Sequence, residues 1–452
     1  MRSGTRARAV VAALAVAALA VPATAPAGTA TARESDCFWL GPISFEKRAT
    51  NPERFDGHFF NFPEESATYW VARFRLAAGQ RLELRGRYPH ARYESLNSYQ
   101  EGGTPVSSLA DVRIRPDAGS ANPFLPGARR DGGDRDWTVS VLDAAPPAGD
   151  PAANTLYTPS TASFASEMVL RVYEPDRGRD LTGGVGLPVP ELVNADGTRA
   201  RGLDAVCAAV NDPDRSLRRT VQSVPASLWD GLVNTPGPDA DPRTSPAFDP
   251  PQWERFFSQL FSAGIFQQAA GNPRPTAGME DLGGFYSNRD TRYVLTHLSR
   301  RFGQVLVIRG RMPTFPRTYG GARRMPRGQV RFWSLCSNEG RVTTYAPDCV
   351  ADRQVPLTPN RRFTIVVSKT ADRPRNAQRR CGVAWLQWPR NGEYPGGRRD
   401  YGLLILRNML ASPGFDRATQ RIERFGDERR VMGPYFPAST YTSTRAFERR
   451  GC

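Results

Sequence analysis

Hydrophobic and polar positions alternate along short runs of this chain. In "RLELRGR" (81–87), Leu82 and Leu84 alternate with charged residues, which is the period-two pattern of a strand with one buried face. The segments "WTVSV" (137–141) and "FTIVV" (363–367) combine β-branched and aromatic residues, which suit the pleated surface of a sheet. Loops rich in Gly, Pro and Asp separate these runs. The pattern therefore predicts an all-β protein with minor α content.

The strand-like blocks occur twice. "GQRLELRGRYP" (79–89) and "GQVLVIRGRMP" (303–313) are identical at seven positions, and each holds a glycine, Gly86 or Gly310, where a bulge or a close backbone approach is expected. "ARYESL" matches "VRFWSL", "RDWTVSV" matches "RRFTIVV" and "MVLRVY" matches "LILRNM", in the same order along the chain. This order predicts an internal duplication into two jelly-roll-like β-sandwich domains.

The residue patterns of the segments between and after the two copies set the predicted domain boundaries. In "PQWERFFSQLFSAGIF" (251–266) aromatic residues recur every three or four positions, which predicts an amphipathic helix packed between the domains. The alternative is a helix that contacts a membrane or a partner protein through an apolar patch around Trp253. A second short helix is expected after Ser412. The prediction comprises a signal peptide at 1–32, a first β-sandwich at 33–205, a partly helical linker at 206–280, a second β-sandwich at 281–425 and a C-terminal tail at 426–452.

The N-terminal segment has the order of a secretory signal peptide. Three arginines precede an apolar run from Ala9 to Val21, and Ala-x-Ala triplets then end at Ala25, Ala27 and Ala32 as alternative cleavage sites. Pro22 interrupts the apolar run before it reaches the ~20 residues of a membrane span. We therefore expect a secreted or otherwise extracytoplasmic protein with no transmembrane segment after cleavage.

Six cysteines in an oxidising compartment favour three disulfides. Their placement favours one bond that closes the ends of the first copy, one between adjacent strands of the second copy and one that anchors the tail. The predicted pairs are Cys37–Cys207, Cys336–Cys349 and Cys381–Cys452.

The chain is strongly basic, with a formal net charge of +16. Of its 61 basic residues only Lys47 and Lys369 are lysines, and the arginines are scattered among acidic residues rather than grouped in a block. An ordinary solvated surface explains this distribution, and attraction to an anionic envelope polymer or to lipid headgroups is the alternative. No recognised nucleic-acid-binding module occurs, so a specific nucleic-acid partner is not expected.

Four segments carry a family resemblance: "NTLYTP" (154–159), "MVLRVYEPDRG" (168–178), "CGVAWLQWP" (381–389) and "YGLLILRNM" (401–409). They resemble a bacterial domain family of unknown function, whose domains end in an Asn-Trp-Leu-Pro-like phrase followed by a Leu-Arg-x-Tyr strand. Ala384 and Gln387 stand where the family has Asn and Pro. The resemblance implies exported proteins with jelly-roll-like architecture. It assigns no catalytic residue, because the family has no established activity.

Candidate chemistry is sparse. The chain lacks G-x-S-x-G, H-E-x-x-H and Walker signatures, and its three histidines do not favour a metal site. No cofactor is expected. The candidate acid–base residues, should the protein be an enzyme, are Asp111, Asp352, Glu83 and Glu94. The candidate ligand-binding residues are Arg92, Arg331, Arg171, Arg407 and His90, because an arginine within an apolar strand must pair with a carboxylate or meet an anionic ligand.

These observations leave three classes of function. A non-catalytic binding or scaffold protein is favoured, because no nucleophile signature is present. A carboxylate- or metal-dependent hydrolase of an envelope or extracellular polymer is the first alternative. A structural partner of other envelope proteins is the second.

Overall fold

The alternating segments form strands, and strands account for most of the regular structure. The computed structural model describes residues 36–44, 62–214, 247–257, 281–339, 344–389 and 401–452. Strands make up 37% and helices 12%, in four sheets. The all-β prediction is confirmed.

The first copy is a sandwich of two five-stranded sheets. Its inner sheet has the order β1-β2-β8-β4-β5 and its outer sheet the order β10-β9-β3-β6-β7. Helix α1 (Leu203–Val210) follows the last strand. The strands are β1 (Leu40–Ser44), β2 (Ala67–Phe74), β3 (Arg81–Arg87), β4 (Ala91–Gln100), β5 (Thr104–Ala110), β6 (Asp136–Leu142), β7 (Thr155–Tyr157), β8 (Ser166–Pro175), β9 (Val189–Val193) and β10 (Arg199–Ala200).

The second copy is also a sandwich. Its inner sheet has the order β11-β12-β18-β14-β15, and its outer sheet has four strands in the order β17-β16-β13-β19. Two short helices, α2 (Glu428–Met432) and α3 (Thr444–Glu448), flank the last strand. The strands are β11 (Glu254–Arg255), β12 (Thr291–Ser299), β13 (Val305–Arg311), β14 (Phe332–Asn338), β15 (Asp348–Ala351), β16 (Arg362–Ser368), β17 (Val383–Gln387), β18 (Tyr401–Met409) and β19 (Ala438–Thr442).

The two sandwiches repeat one topology. The two copies of the repeated phrase lie on β3 and β13, which occupy the same place in their sheets. Each pairs antiparallel with β6 or β16 on one side and with β9 or β19 on the other, and a parallel strand, β7 or β17, extends each outer sheet. The matched blocks of sequence therefore occupy equivalent strands.

The glycine of the repeated phrase allows an aromatic ring to lie on the strand. Gly86 is paired with Trp137 across the sheet, and Gly310 is paired in the same way with Phe363. A Cβ atom added at Gly86 would lie 2.2 Å from Trp137 Cζ2, and one added at Gly310 would lie 2.9 Å from Phe363 Cζ. The close approach expected from the sequence is thus a ring packed over the backbone.

The inner sheets of the two sandwiches pack against each other. Strands β2, β4 and β8 are buried along almost their whole length, because one face closes the first core while the other faces the second sandwich. A loop of the second sandwich also places Met325 in the first core, where it is buried among that core's side chains. The described chain is therefore a stack of four sheets.

The linker and the tail differ from the prediction. The helix predicted from 251 is absent over the described residues 251–257, where β11 pairs with β12 and Trp253 and Phe257 enter the second core; residues 258–266 lie outside the described residues. Residues 426–452 are part of the second sandwich rather than a separate tail, because β19 supplies the hydrogen-bonding partner of β13. Over 413–425, where the second helix was predicted, the chain forms only a short 3-10 turn, Thr419–Arg421.

The six cysteines are paired as predicted, Cys37 with Cys207, Cys336 with Cys349 and Cys381 with Cys452. The first bond joins the start of the first sandwich to α1, and the second lies across β14 and β15. Three disulfides fit an oxidising, extracytoplasmic environment. Within the described ranges, no helix has the length and apolar character that crossing a bilayer requires.

Candidate functional site

Two of the candidate arginines form reciprocal ion pairs between the sandwiches. Arg92 of the first sandwich donates to Asp352 Oδ1 and Oδ2 of the second, at 2.8 and 2.9 Å. Arg331 of the second sandwich donates to both carboxylate oxygens of Asp111 of the first, each at 3.2 Å. Because each copy supplies both an arginine and an aspartate, the interface has the self-complementary form of a two-fold contact.

The aspartates of these pairs are held in equivalent ways. Asp111 and Asp352 begin short 3-10 turns directly after β5 and β15. The backbone N–H of Glu94 donates to Asp111 at 2.9 Å, and that of Trp333 donates to Asp352 at 3.1 Å. Burial raises the pKa of each aspartate to about 6, so both carboxylates are mainly ionised at pH 7. These residues build the domain interface; Asp111 is fully buried, and Asp352, which is 1% exposed, lies with Arg92 in the lining of an open cleft.

The other two candidate arginines line a cavity between the inner sheets. Arg171 on β8 is opposite Tyr69 on β2, and Arg407 on β18 is opposite Tyr293 on β12. Each guanidinium carbon lies 5.7 Å from the centroid of its tyrosine ring. The two arginines therefore occupy equivalent positions and face the same cavity.

The equivalence extends to the backbone that closes the cavity. Arg171 Nη2 donates to the carbonyl of Tyr286 at 2.8 Å, and Arg407 Nη2 donates to that of Phe62 at 2.7 Å. Both carbonyls belong to residues with positive φ, 55° at Tyr286 and 54° at Phe62. Two residues further on, the N–H of Asn288 donates to the Tyr293 hydroxyl. In the same way, Glu64 N–H donates to the Tyr69 hydroxyl.

The symmetry is broken at one position. Glu64 lies 3.4 Å from Arg407 and neutralises its charge, whereas the equivalent residue beside Arg171 is Asn288, which carries no charge. Arg171 is 2% exposed, and within the described ranges it has no carboxylate partner. Its Nη1 group has no hydrogen-bond acceptor there either. Among the residues that the structure describes, Arg171 is thus a buried cation without a counter-ion.

The tyrosines around Arg171 do not replace the missing anion. Its guanidinium lies over the rings of Tyr69 and Tyr99, at 5.7 and 5.5 Å from their centroids. Burial raises the pKa of Tyr69, Tyr99 and the neighbouring Tyr173, so their hydroxyls remain neutral at pH 7. Cation–π attraction stabilises a guanidinium but leaves its net charge uncompensated.

The cavity itself is narrow and mainly apolar. The centres of water-sized spheres can occupy about 60 Å³ of this cavity. That space corresponds to about four to six water-sized groups. The total empty volume, which includes the part open to solvent, is about 650 Å³. Apart from the two arginines, the walls are formed mainly by Phe62, Tyr69, Tyr173, Phe256, Phe285, Tyr286, Tyr293, Leu295, Leu403 and Ile405. A small ligand with one anionic group fits this chemistry.

The remaining candidates lie elsewhere. His90 is half-buried in the first sandwich, where burial and then the charges of Arg135 and Arg179 lower its pKa to about 4. Glu83 lies on the outer sheet, and hydrogen bonding from Arg199 lowers its pKa. Glu94 is buried in the first sandwich, where burial and then the charge of Asp111 raise its pKa. The four carboxylates do not meet in an open cleft.

Glu64, Cys336 and Cys349 bring ligand-type atoms within 4.8 Å of one another. Both sulfur atoms belong to one disulfide, so they do not act as thiolate ligands. This cluster therefore does not form a metal site.

Replacing Glu94 with glutamine is expected to stabilise the protein at pH 7 and to change little near pH 4. The folded-state pKa is raised above the ordinary 4.5, so the folded state holds a proton that the unfolded state releases. Stability then falls by about 1.4 kcal/mol per pH unit between the two pKa values, and glutamine removes that fall. Urea unfolding of both proteins from pH 3 to 8 measures it.

The matched control is Glu83→Gln, because the pKa of Glu83 is shifted in the opposite direction. That variant should lose a little stability at pH 7 and none near pH 3. A Glu94→Gln difference that stays constant over the pH range would show that Glu94 is not held protonated.

Sequence reasoning missed Glu64, Asn288 and the tyrosines of the cavity. The available signal was a tyrosine in each of the matched segments "TYWVARF" and "TRYVLTH", which the structure places opposite Arg171 and Arg407. The difference between Glu64 and Asn288 gave no signal, because the residues before β2 and β12 show no likeness in sequence.

Comparison with known proteins assigns neither a family nor an activity to the chain. No protein-family model matches the chain, and no curated protein matches it. An uncharacterised protein from Burkholderia cenocepacia is 13% identical, with a TM-score of 0.42, over 88% of this chain and 87% of that chain. A protein from Vibrio parahaemolyticus is 10% identical, with a TM-score of 0.36, over 84% of this chain and 90% of that chain.

Proposed function

We propose that this is an exported, non-catalytic binding protein that holds a small anionic ligand in the cavity between its two sandwiches. The observation that supports the proposal is Arg171, a buried guanidinium with a hydrogen-bond donor that lacks an acceptor. A carboxylate or phosphate group of the ligand would supply the missing charge.

The energetics favour an anion at this position. Burying a cation without a partner is costly, and a charge-assisted hydrogen bond to a carboxylate recovers much of that cost. Arg407 illustrates the paired arrangement, because Glu64 already provides its carboxylate. The aromatic and aliphatic walls suit the apolar part of a ligand, while the small volume limits its size.

The two alternative functions have less support. A hydrolase needs carboxylates in contact with water, but Glu94, Asp111 and Asp352 are buried and at most 2% exposed. A structural partner was expected to use the aromatic residues around Trp253, and Trp253 and Phe257 instead lie in the second core. The binding function is therefore preferred.

The test compares Arg171→Met with Arg407→Met. Arg171→Met removes an unpaired charge, so the free energy of unfolding is expected to change by less than about 1 kcal/mol or to rise. Arg407→Met leaves Glu64 buried without its cation and should lose about 3 kcal/mol or more. Chemical unfolding without added anions measures both.

The second part of the test measures binding, with acetate, benzoate and phenyl phosphate as probe ligands. At 100 times its dissociation constant, a probe that binds only the folded wild type adds about 2.7 kcal/mol to its stability. Arg171→Met should lose that gain. An equal gain in both proteins, or a large loss of stability in Arg171→Met without any probe, would contradict the proposal.

A further inference from the structure

A second cationic region lies on the outer sheet of the second sandwich, away from the cavity. Arg309 and Arg311 on β13, Arg362 on β16 and Arg429 on α2 line an open cleft. The space open to the centres of water-sized spheres is about 480 Å³, against 60 Å³ for the inter-sandwich cavity. All four arginines are exposed, and no acidic residue of the described chain lines the cleft.

The first sandwich shows how such arginines are usually neutralised. Arg85 and Arg87 on β3 occupy the places of Arg309 and Arg311 on β13. Arg85 forms an ion pair with Glu191 at 3.2 Å, and Arg87 forms one with Asp136 at 3.1 Å. The positive charge of this face is therefore balanced within the fold.

In the second sandwich both acidic partners are replaced. Arg362 pairs with Arg311 across the strands, in the place where Asp136 pairs with Arg87. Thr440 on β19 occupies the place of Glu191 on β9. These two arginine positions thus change from ion-paired in the first copy to unpaired, among the described residues, in the second.

This arrangement is unfavourable for the isolated fold. Like charges directly opposite each other on neighbouring strands destabilise a sheet. The pKa of Arg309 is lowered by burial and then by the charge of Arg450. Among the described residues, none of the four arginines of the cleft has a carboxylate partner. An anion from outside the chain would relieve the repulsion.

The spacing of the arginines suits a ligand that carries several negative charges in a row better than it suits a single ion. Arg309 and Arg311 are two residues apart on one strand, about 6.5 Å, and Arg362 is about 5 Å from Arg311 across the sheet. The ring of Phe436 is covered by the guanidinium of Arg429 at 4.4 Å, so it does not offer a free face for stacking a base. The cleft is concave, which suits a flexible chain better than a flat bilayer.

We propose that this cleft binds an anionic surface polymer, a flexible base-free chain that carries one carboxylate or phosphate per repeat. The four arginines contact successive charges of the chain, and their planar guanidinium groups match both kinds of acid. The polymer holds the protein at a charged surface while the inter-sandwich cavity remains open.

The decisive variant is Arg362→Asp, which recreates the Arg87–Asp136 arrangement of the first sandwich. Binding of the full chain to polygalacturonate and to polyphosphate is measured at increasing salt concentrations. For four neutralised charges the slope of log K against log salt is expected to be about −3. Arg362→Asp should weaken binding at least tenfold with no fall in Tm, while the control Arg87→Gln stays within about twofold.

The two polymers distinguish a carboxylate from a phosphate partner, and tight binding of either one supports the proposal. Unchanged affinity in Arg362→Asp, or tighter binding to oligo(dT) than to both base-free polymers, would overturn it. Arg171→Met should leave polymer binding intact, and Arg362→Asp should leave the response to small carboxylates intact. The two binding proposals can therefore fail independently.

Discussion

Replacing Arg92 with methionine is expected to lower the free energy of unfolding by about 3–5 kcal/mol at pH 7. Arg92 is fully buried and also pairs with Glu174, so among the described residues its removal leaves Asp352 with the Trp333 N–H as donor and Glu174 with Arg353. An ion pair that loses one buried partner costs this much because the remaining charge is uncompensated. Guanidinium or urea unfolding of the two proteins measures the loss.

The size of this loss should depend on pH. The pKa of Asp352 is already raised to about 6 by burial, and removing Arg92 raises it further. In the wild type the Asp352 contribution to stability stops falling with pH above about 6, whereas in the variant this contribution continues to fall by about 1.4 kcal/mol per unit up to the higher pKa. The difference between the proteins should therefore widen above pH 6 and narrow at pH 5.

Two controls separate lost charge pairing from lost packing. Arg92→Met combined with Asp352→Leu removes the cation and one of its two carboxylate partners, and it should recover much of the lost stability because Glu174 keeps its ion pair with Arg353. Arg129→Met removes an exposed arginine paired with Asp131 and should change stability by less than about 0.5 kcal/mol. A loss below about 1 kcal/mol in Arg92→Met alone would show that the reciprocal pairs do not hold the sandwiches together.

Removing the Cys37–Cys207 disulfide is expected to cost about 5 kcal/mol. The bond closes a loop of 170 residues, so it restricts the unfolded chain strongly. The matched control removes Cys336–Cys349, whose sequence separation is 13 and whose expected cost is about 3 kcal/mol. Both bonds are replaced with alanine pairs, and the free energy of unfolding is measured by denaturant titration.

The burial of the short-loop disulfide makes the comparison of the two variants a stringent test. Cys336 and Cys349 are at most 2% exposed, so their replacement also removes buried contacts and works against the expected order. If the short-loop variant loses more stability than the long-loop variant, the effect of each bond is local rather than a restriction of the unfolded chain.

The aromatic residues of the described segment 253–257 show that helical spacing alone can predict the wrong secondary structure. Trp253 and Phe257 have helical spacing, yet Glu254–Arg255 forms β11 and both aromatic side chains enter the second core. The segment lies beside β12, whose edge offers backbone hydrogen bonds, and this tertiary pairing overrides the local pattern.

The sequence by itself determined the strands and their duplication; for the cysteines it left fifteen possible pairings, and the set favoured by their placement is the one that the structure contains. Alternation, glycine placement and repeated phrases are local signals, because successive side chains of a strand point to opposite faces whatever the rest of the chain does. Gly86 and Gly310 show this well, since each was expected to allow a close approach and each receives an aromatic ring.

Only the tertiary structure decided which charges meet. Arg92 and Asp352 are 260 residues apart in sequence, and Arg331 and Asp111 are 220 apart, so their pairing depends on how the two inner sheets dock. The isolation of Arg171 depends on a single difference, Asn288 in place of the glutamate that serves Arg407. Such contacts form between surfaces brought together by folding, and no local pattern of residues specifies them.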